Sequence, residues 1–318
     1  MGKMINITTQ ASPSLALIKY WGKQNKKQNL PATTSLAMTL DTLHTTTEIS
    51  FSQNKDVIRL NGIEKQDDKI IQFLDFCRKY FKTDHYYTLF TENNFPTKAG
   101  IASSASGFAA LAAAVNAFEN KGLDNKALSA LARRGSASAS RSVFGGFTLL
   151  KAGAREAIPL ENKDYWPELR VMVCLVSAKE KFIGSREAME ASRTSSPYYS
   201  VWIKSSRSLC KHAIDAFYKK DFEKLGWAIR QSYLRMFSTM FTAHNPIIYW
   251  EPGSLQIIQT AETLRKNGIA VFETMDAGPQ VKLFYLEPDE KQIKKMILQE
   301  CPDLNFMICS AGKGVRYL

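Results

Sequence analysis

Four short segments of this 318-residue chain combine residue types that suit phosphate chemistry. Pro96–Ser106 reads PTKAGIASSAS: Gly100 permits close backbone approach, and Ser103 and Ser104 offer hydroxyls where an Ala-rich helix is expected to begin. The first N–H groups of such a helix lack intrahelical partners and sit at the positive end of its dipole, a ready site for a phosphate. An ordinary Ser-capped helix after a glycine turn fits equally well. Arg134–Arg141 reads RGSASASR, with small residues and the hydroxyls of Ser136 and Ser138 bracketed by two arginines. A guanidinium there would bind a diphosphate or carboxylate bidentately; a small-residue turn is the plainer reading. Ile18–Lys23 places Lys19, Tyr20 and Lys23 around Trp21 and Gly22, a weak signal by spacing alone. Met275–Pro279 reads MDAGP, first of all a turn, although Asp276 at a strand end near phosphates would also serve as a base.

Other chemistries leave no trace. The segment at Gly100 does not match GxxxxGK[ST], and neither a GxSxG elbow nor a strand-linked GxGxxG occurs. The four histidines are dispersed without zinc spacing, so an expected metal is magnesium carried on nucleotide phosphates. The five cysteines are odd in number and form no CxxC, which suits reduced thiols in a cytoplasm. The opening MGKMINITTQ does not read as a signal peptide. The longest nearly apolar run, residues 108–118, is interrupted by Asn116 and falls short of the ~20 residues a membrane span needs. A net charge of +12 favours anionic partners. With basic residues scattered and no zinc-finger, RNP or basic-zipper signature, small phosphorylated substrates are expected rather than nucleic acid.

The elements that must position these segments follow from periodicity. Residues 45–52, 57–60, 86–91, 143–150 and 169–176 read as strands, with Asn61-Gly62 as a turn. Residues 67–81, 104–118 and 126–134 read as helices. From Ser185 to Leu264 the chain is mainly helical, with starts near Pro197, Asp221 and Pro252. It closes with strands at 269–274 and 281–286, a helix at 289–300 and a strand at 305–310, the signature of an open α+β layer. A division near Ala178 gives an N-terminal lobe, 1–178, and a C-terminal lobe, 179–318.

ALIKYWGK (Ala16–Lys23), LPATTSLAMTLD (Leu30–Asp41), PTKAGIASSASGFAALAAA (Pro96–Ala114), LARRGSASASRSVFGGF (Leu131–Phe147) and MDAGPQVK (Met275–Lys282) occur in this order. Together they resemble the mevalonate diphosphate decarboxylases of the GHMP kinase superfamily. The resemblance implies an α+β fold in two lobes, the first like the second domain of ribosomal protein S5 and the second ferredoxin-like. It further implies a homodimer that uses ATP and Mg2+. The implied reaction phosphorylates the tertiary 3-hydroxyl of mevalonate 5-diphosphate and then releases phosphate and CO2 to form isopentenyl diphosphate. By the same resemblance Asp276, Lys19 and Arg141 are catalytic. Tyr20, Lys23, Ser136, Ser138, Ser185 and Arg186 bind substrate, and Gly100, Ser103 and Ser104 bind the ATP phosphates. The chain departs from the family pattern at Ser14, where Asn is usual, and at Ala137, where Gly is usual. It also lacks His and Asn in Leu234–Met240 and has Ala188 where Gly is common. A decarboxylase of the monophosphate, a mevalonate kinase-like enzyme and a non-enzymatic basic binding protein are the competing readings.

Overall fold

The computed structural model describes residues 6–95, 103–177, 179 and 181–318. The architecture is α+β. Among the described residues one antiparallel-dominated sheet runs in the order Arg316–Tyr317, Ile7–Ala11, Thr45–Ser52, Tyr86–Asn93, Val57–Leu60 and Ile63–Glu64. A second runs Ile158–Glu161, Phe147–Leu150, Ser35–Thr39, Ser14–Ile18. A third runs Val271–Met275, Val281–Leu286, Leu169–Leu175, Asn305–Cys309.

On the first sheet, Thr45–Ser52 alternates inward and outward, and its inner residues meet the helix Ser103–Phe118. Ten of that helix's first thirteen residues are Ala, Ser or Gly, which lets it lie close to the strands. The Thr9 hydroxyl donates to the Ala110 carbonyl at 2.8 Å, a bond only a small-residue helix face permits. The helix Asn125–Gly135 ends against it. A Cβ on Gly135 would lie 2.1 Å from the Phe108 ring, so glycine alone allows this approach, and the approach delivers Ser136 to the start of the neighbouring helix.

On the third sheet the helices Tyr199–Tyr218 and Phe222–Phe241 pack as an antiparallel pair, the second of them against Val271–Met275. Asp221 caps Phe222–Phe241 by accepting from the Lys224 N–H at 3.1 Å. Glu273, wholly buried in the middle of Val271–Met275, accepts from Arg230 at 2.6 Å, Tyr233 at 2.9 Å and Arg265 at 2.7 Å. That network ties the strand to the helices Phe222–Phe241 and Pro252–Lys266.

Two expected strands change their bounds. The strand expected over 143–150 is Phe147–Leu150 alone: Ala139–Ser142 forms a helical turn, and Gly146 has a φ of 65°, which an extended strand does not hold. The strand expected at 269–274 runs Val271–Met275. Leu169–Leu175 lies on the N-terminal side of the division at Ala178, yet it is bonded on both edges to strands of the C-terminal layer, Val281–Leu286 and Asn305–Cys309.

Candidate active site

Lys19 stands just past the end of Ser14–Ile18, a strand buried at all five positions. Its register against Ser35–Thr39 shifts between Ala16 and Ile18, and such irregularities re-aim the side chains that follow. The Lys19 backbone N–H donates to the Ser232 hydroxyl at 2.8 Å, and its ammonium donates to the Ala16 carbonyl at 2.8 Å. The same ammonium donates to Oδ1 of Asp276 at 2.9 Å. Asp276 opens the turn between Val271–Met275 and Val281–Leu286. That turn is no loose surface loop. Gln280 accepts from the Val176 N–H at 2.6 Å and donates to the Ser177 carbonyl at 2.5 Å, while the Ser254 hydroxyl donates to the Pro279 carbonyl at 2.7 Å.

Arg141 is buried in the helical turn Ala139–Ser142. It donates from Nη1 to the Ser35 hydroxyl at 2.6 Å and from Nε to the Ser14 hydroxyl at 3.4 Å. Ser14, the departure from the family pattern, therefore takes up one donor of this guanidinium. Ser136 and Ser138 are 3.0 Å apart through their hydroxyls, and Ser104 lies 3.5 Å from Ser136. Lys23 donates to Asn29 at 2.5 Å, and Asn29 donates to the Arg134 carbonyl at 2.6 Å. Gly22 between Trp21 and Lys23 has a φ of 92°, and a Cβ there would lie 1.9 Å from the Tyr199 hydroxyl, so both conformation and space require glycine.

Lys19, Tyr20, Lys23, Ser103, Ser104, Ser136, Ser138, Arg141, Ser185, Arg186 and Asp276 all line one cleft of about 410 Å³. Gly100 lies outside the described residues. The structure adds Lys181 and Lys69, which had no sequence signal among 42 lysines and arginines. The Lys181 ammonium donates to the Ser185 hydroxyl at 2.7 Å and to the Ala277 carbonyl at 3.0 Å. Phe237, in the segment that departs from the pattern, is fully buried among Tyr233, Phe241, Tyr249 and Trp250, while its neighbour Met236 reaches the cleft. A second chamber of about 840 Å³ shares Lys23, Asn29, Lys69 and Arg186 with the first, and adds Phe73 and Phe76, with the Arg134 guanidinium 4.3 Å above the Phe76 ring.

Six cations, Lys19, Lys23, Lys69, Arg141, Lys181 and Arg186, face this cleft against the single carboxylate of Asp276 among the described lining residues. Burial lowers Lys19 to about 8 in spite of the opposing pull of Asp276. Burial likewise lowers Lys23 and Lys181 to about 8. Burial opposes ionisation of Asp276, but the Lys19 and Lys282 ammoniums outweigh it and hold the carboxyl well below the usual carboxylate range. Burial pushes the Tyr20 phenol up, so Tyr20 is a neutral hydrogen-bonding group. Such a site is built to receive a strongly anionic molecule and to set one ionised oxygen against it.

Residues 11–159 match the family model for the diphosphomevalonate decarboxylase-like N-terminal domain, and residues 171–313 match that for the mevalonate 5-diphosphate decarboxylase C-terminal domain. A diphosphomevalonate decarboxylase of Danio rerio is 32% identical over 309 residues, covering 88% of this chain and 76% of its own. The chain belongs to the diphosphomevalonate decarboxylase family. The mevalonate diphosphate decarboxylase of Enterococcus faecalis, in a structure of its mevalonate diphosphate-mediated ATP binding mechanism, superposes with a TM-score of 0.93 at 35% identity, covering 99% of each chain. A structure of MDDEF in complex with MVAPP, AMPPCP and magnesium matches with the same score, identity and coverage. These matches bear out the α+β fold class expected from the sequence. Against the third of the competing readings, a basic binding protein, they set an enzyme family.

Proposed function

We propose that this chain catalyses the ATP-dependent decarboxylation of mevalonate 5-diphosphate, with 3-phosphorylation preceding loss of phosphate and CO2. The observation that carries the reading is the pairing of Lys19 with Asp276 at 2.9 Å in a cleft otherwise lined by cations and hydroxyls. Family membership gives the reaction class, and the geometry supports the roles. Asp276 accepts the proton of the 3-hydroxyl as its oxygen attacks the γ-phosphorus of ATP. Its low basicity suits a loose transition state, in which orientation and charge matter more than full deprotonation. Arg141, buried and anchored by two serine hydroxyls, faces the substrate carboxylate. The C3–O bond to phosphate then breaks, the carboxylate leaves as CO2, and its bonding pair forms the double bond.

Lys23, Arg186, Ser136 and Ser138 bind the diphosphate, helped by Tyr20 and Ser185. The helix Ser103–Phe118 fits the ATP phosphates because its first turn carries no acidic side chain and its Ser103 and Ser104 line the cleft. The aromatic side of the second chamber suits the nucleoside. Mg2+ would be carried mainly on the nucleotide phosphates, as hard-cation chemistry favours. When bound, Mg2+ neutralises charge on the transferring phosphoryl group. We place the enzyme in the cytoplasm as a homodimer. The five cysteines, all unpaired, support a reducing compartment, and the family resemblance supports the dimer.

Mass analysis of turnover with ATP plus either mevalonate 5-diphosphate or the 5-phosphate tests the reading. Isopentenyl diphosphate, ADP, phosphate and CO2 from the diphosphate are expected. A phosphorylated product without CO2 would replace the decarboxylase with a kinase, and preference for the 5-phosphate would move the substrate.

A further inference from the structure

Lys282 does not line the cleft among its described residues, yet it is one of the largest fully buried side chains among them, with 1% of its side-chain surface exposed. It sits on Val281–Leu286, the strand between Val271–Met275 and Leu169–Leu175, in register with Thr274 on one side and Val173 on the other. An ammonium in such a place is costly unless a partner compensates it. Its Nζ is 3.3 Å from Oδ2 of Asp276 and 3.3 Å from the Gln280 carbonyl.

The two oxygens of Asp276 are not equivalent. A quarter of its side-chain surface is exposed, but Oδ2 is buried and, with no hydrogen bond among the described residues, faces the Lys282 ammonium as an ion pair at 3.3 Å. Oδ1 holds the 2.9 Å bond to Lys19, which lines the cleft. We propose that Lys282 is a positioning residue for the reaction: from behind the cleft its ammonium claims Oδ2 of Asp276, leaving Oδ1, shared with Lys19, as the oxygen that meets the substrate hydroxyl. This rests on the reading of the cleft as a phosphoryl-transfer site.

Two consequences follow from having one lysine on each oxygen. The two contacts fix the plane of the carboxylate, so one oxygen always stands at the same position on the cleft side. Lys282 also sets the charge state of both catalytic partners. It favours ionised Asp276, and as a like charge it disfavours ionised Lys19. The other charged groups facing this pair are Arg141 from the helical turn and Lys181 from the segment before Ser185–Ser195. On the neighbouring strand the Cys174 thiol, pushed up by burial, stays neutral.

The test is the pH dependence of kcat in Lys282→Met, which keeps an unbranched side chain one atom shorter and removes its charge. The acidic limb, set by Asp276, should move up by roughly 1–3 pH units, as loss of a cation at this distance requires. The basic limb, set by Lys19, should also move up, while KM for ATP and for the diphosphate stays unchanged. A lower kcat with both limbs in place would overturn the proposal and leave Lys282 a core residue. If Lys282→Met does not fold, Lys282→Arg decides. It retains a cation, so limbs at the wild-type positions are expected, and limbs that move overturn the proposal. Wild-type enzyme that consumes ATP and releases CO2 keeps the underlying reading intact whichever way the variants fall; absence of that turnover sinks the reading itself.

Discussion

Lys19 and Asp276 are 257 residues apart in sequence, and their ammonium and carboxylate meet at 2.9 Å. The lysine has 1% of its side chain exposed and the aspartate 25%, so the pair lies at the floor of the cleft with one face open. Lys19 takes its counter-ion from the far end of the chain, while Asp276 has a second cation, Lys282, on the strand that follows it. The lysine needs a counter-ion to remain charged so deep, and the carboxylate needs cations to remain ionised.

Asp276→Asn should abolish both phosphorylation and decarboxylation, because a positioned base contributes about 10²–10⁴-fold. It should also lower thermal stability, since Lys19 and Lys282 would be left facing an amide. Binding of ATP and diphosphate should persist, because Asp276 adds no positive charge. Simultaneous measurement of ATP hydrolysis and CO2 release in the folded variant decides: release of both would remove Asp276 from the base role, and ATP use without CO2 would move it to a later step.

Arg141→Lys should drop activity strongly with little loss of folding. Lysine keeps the charge, but one ammonium cannot reach both Ser35 and Ser14 while still presenting a planar fork to a carboxylate. Near-normal turnover would make Arg141 a structural cation. Circular dichroism and kcat/KM on the same preparation separate the outcomes.

Ser104→Ala should slow ATP use by about 10–150-fold, the equivalent of one hydrogen bond to a charged group at roughly 1.5–3 kcal/mol. The helix itself should not suffer, because among the described residues the exposed Ser104 makes only a 3.5 Å contact to Ser136. Unchanged kinetics would take Ser104 out of the phosphate site.

Binding of inorganic diphosphate at pH 8 should take up protons. Burial has lowered Lys19, Lys23 and Lys181 to about 8, so a fraction of each is neutral there, and an anion beside them favours the charged form. The stability sign follows from the same shifts. These folded-state values lie below the ordinary lysine value, so the unfolded chain binds more protons between pH 8 and about 10.4, and the ligand-free protein should gain stability as pH rises through that window. Calorimetry in buffers of different ionisation enthalpy reads the proton uptake. No uptake would mean that these lysines are fully charged before the anion arrives.

The amino-acid sequence by itself determined the chemistry-bearing segments and the elements with a strong period. Val57–Leu60 and Thr45–Ser52 lie where strands were expected, and Asp68–Phe81 follows its Asp67 cap with an apolar face at Ile70, Ile71, Leu74 and Phe81, because a half-buried element leaves a local pattern in the chain. Ser14–Ile18 and Ser35–Thr39 are buried at every position, so they carry no alternation, and local pattern could not identify them. The motif MDAGPQVK was plain to read, but its last residue looked like any other lysine. Only the hairpin register, which sets Thr274 opposite Lys282 and turns the chain at Asp276, puts that lysine behind the carboxylate. Lys181 and Lys69 had the same anonymity among so many cations. Spacing along the chain records which face of an element is buried. Which charges meet is decided by packing between elements, and a contact across 257 residues leaves no local period to read.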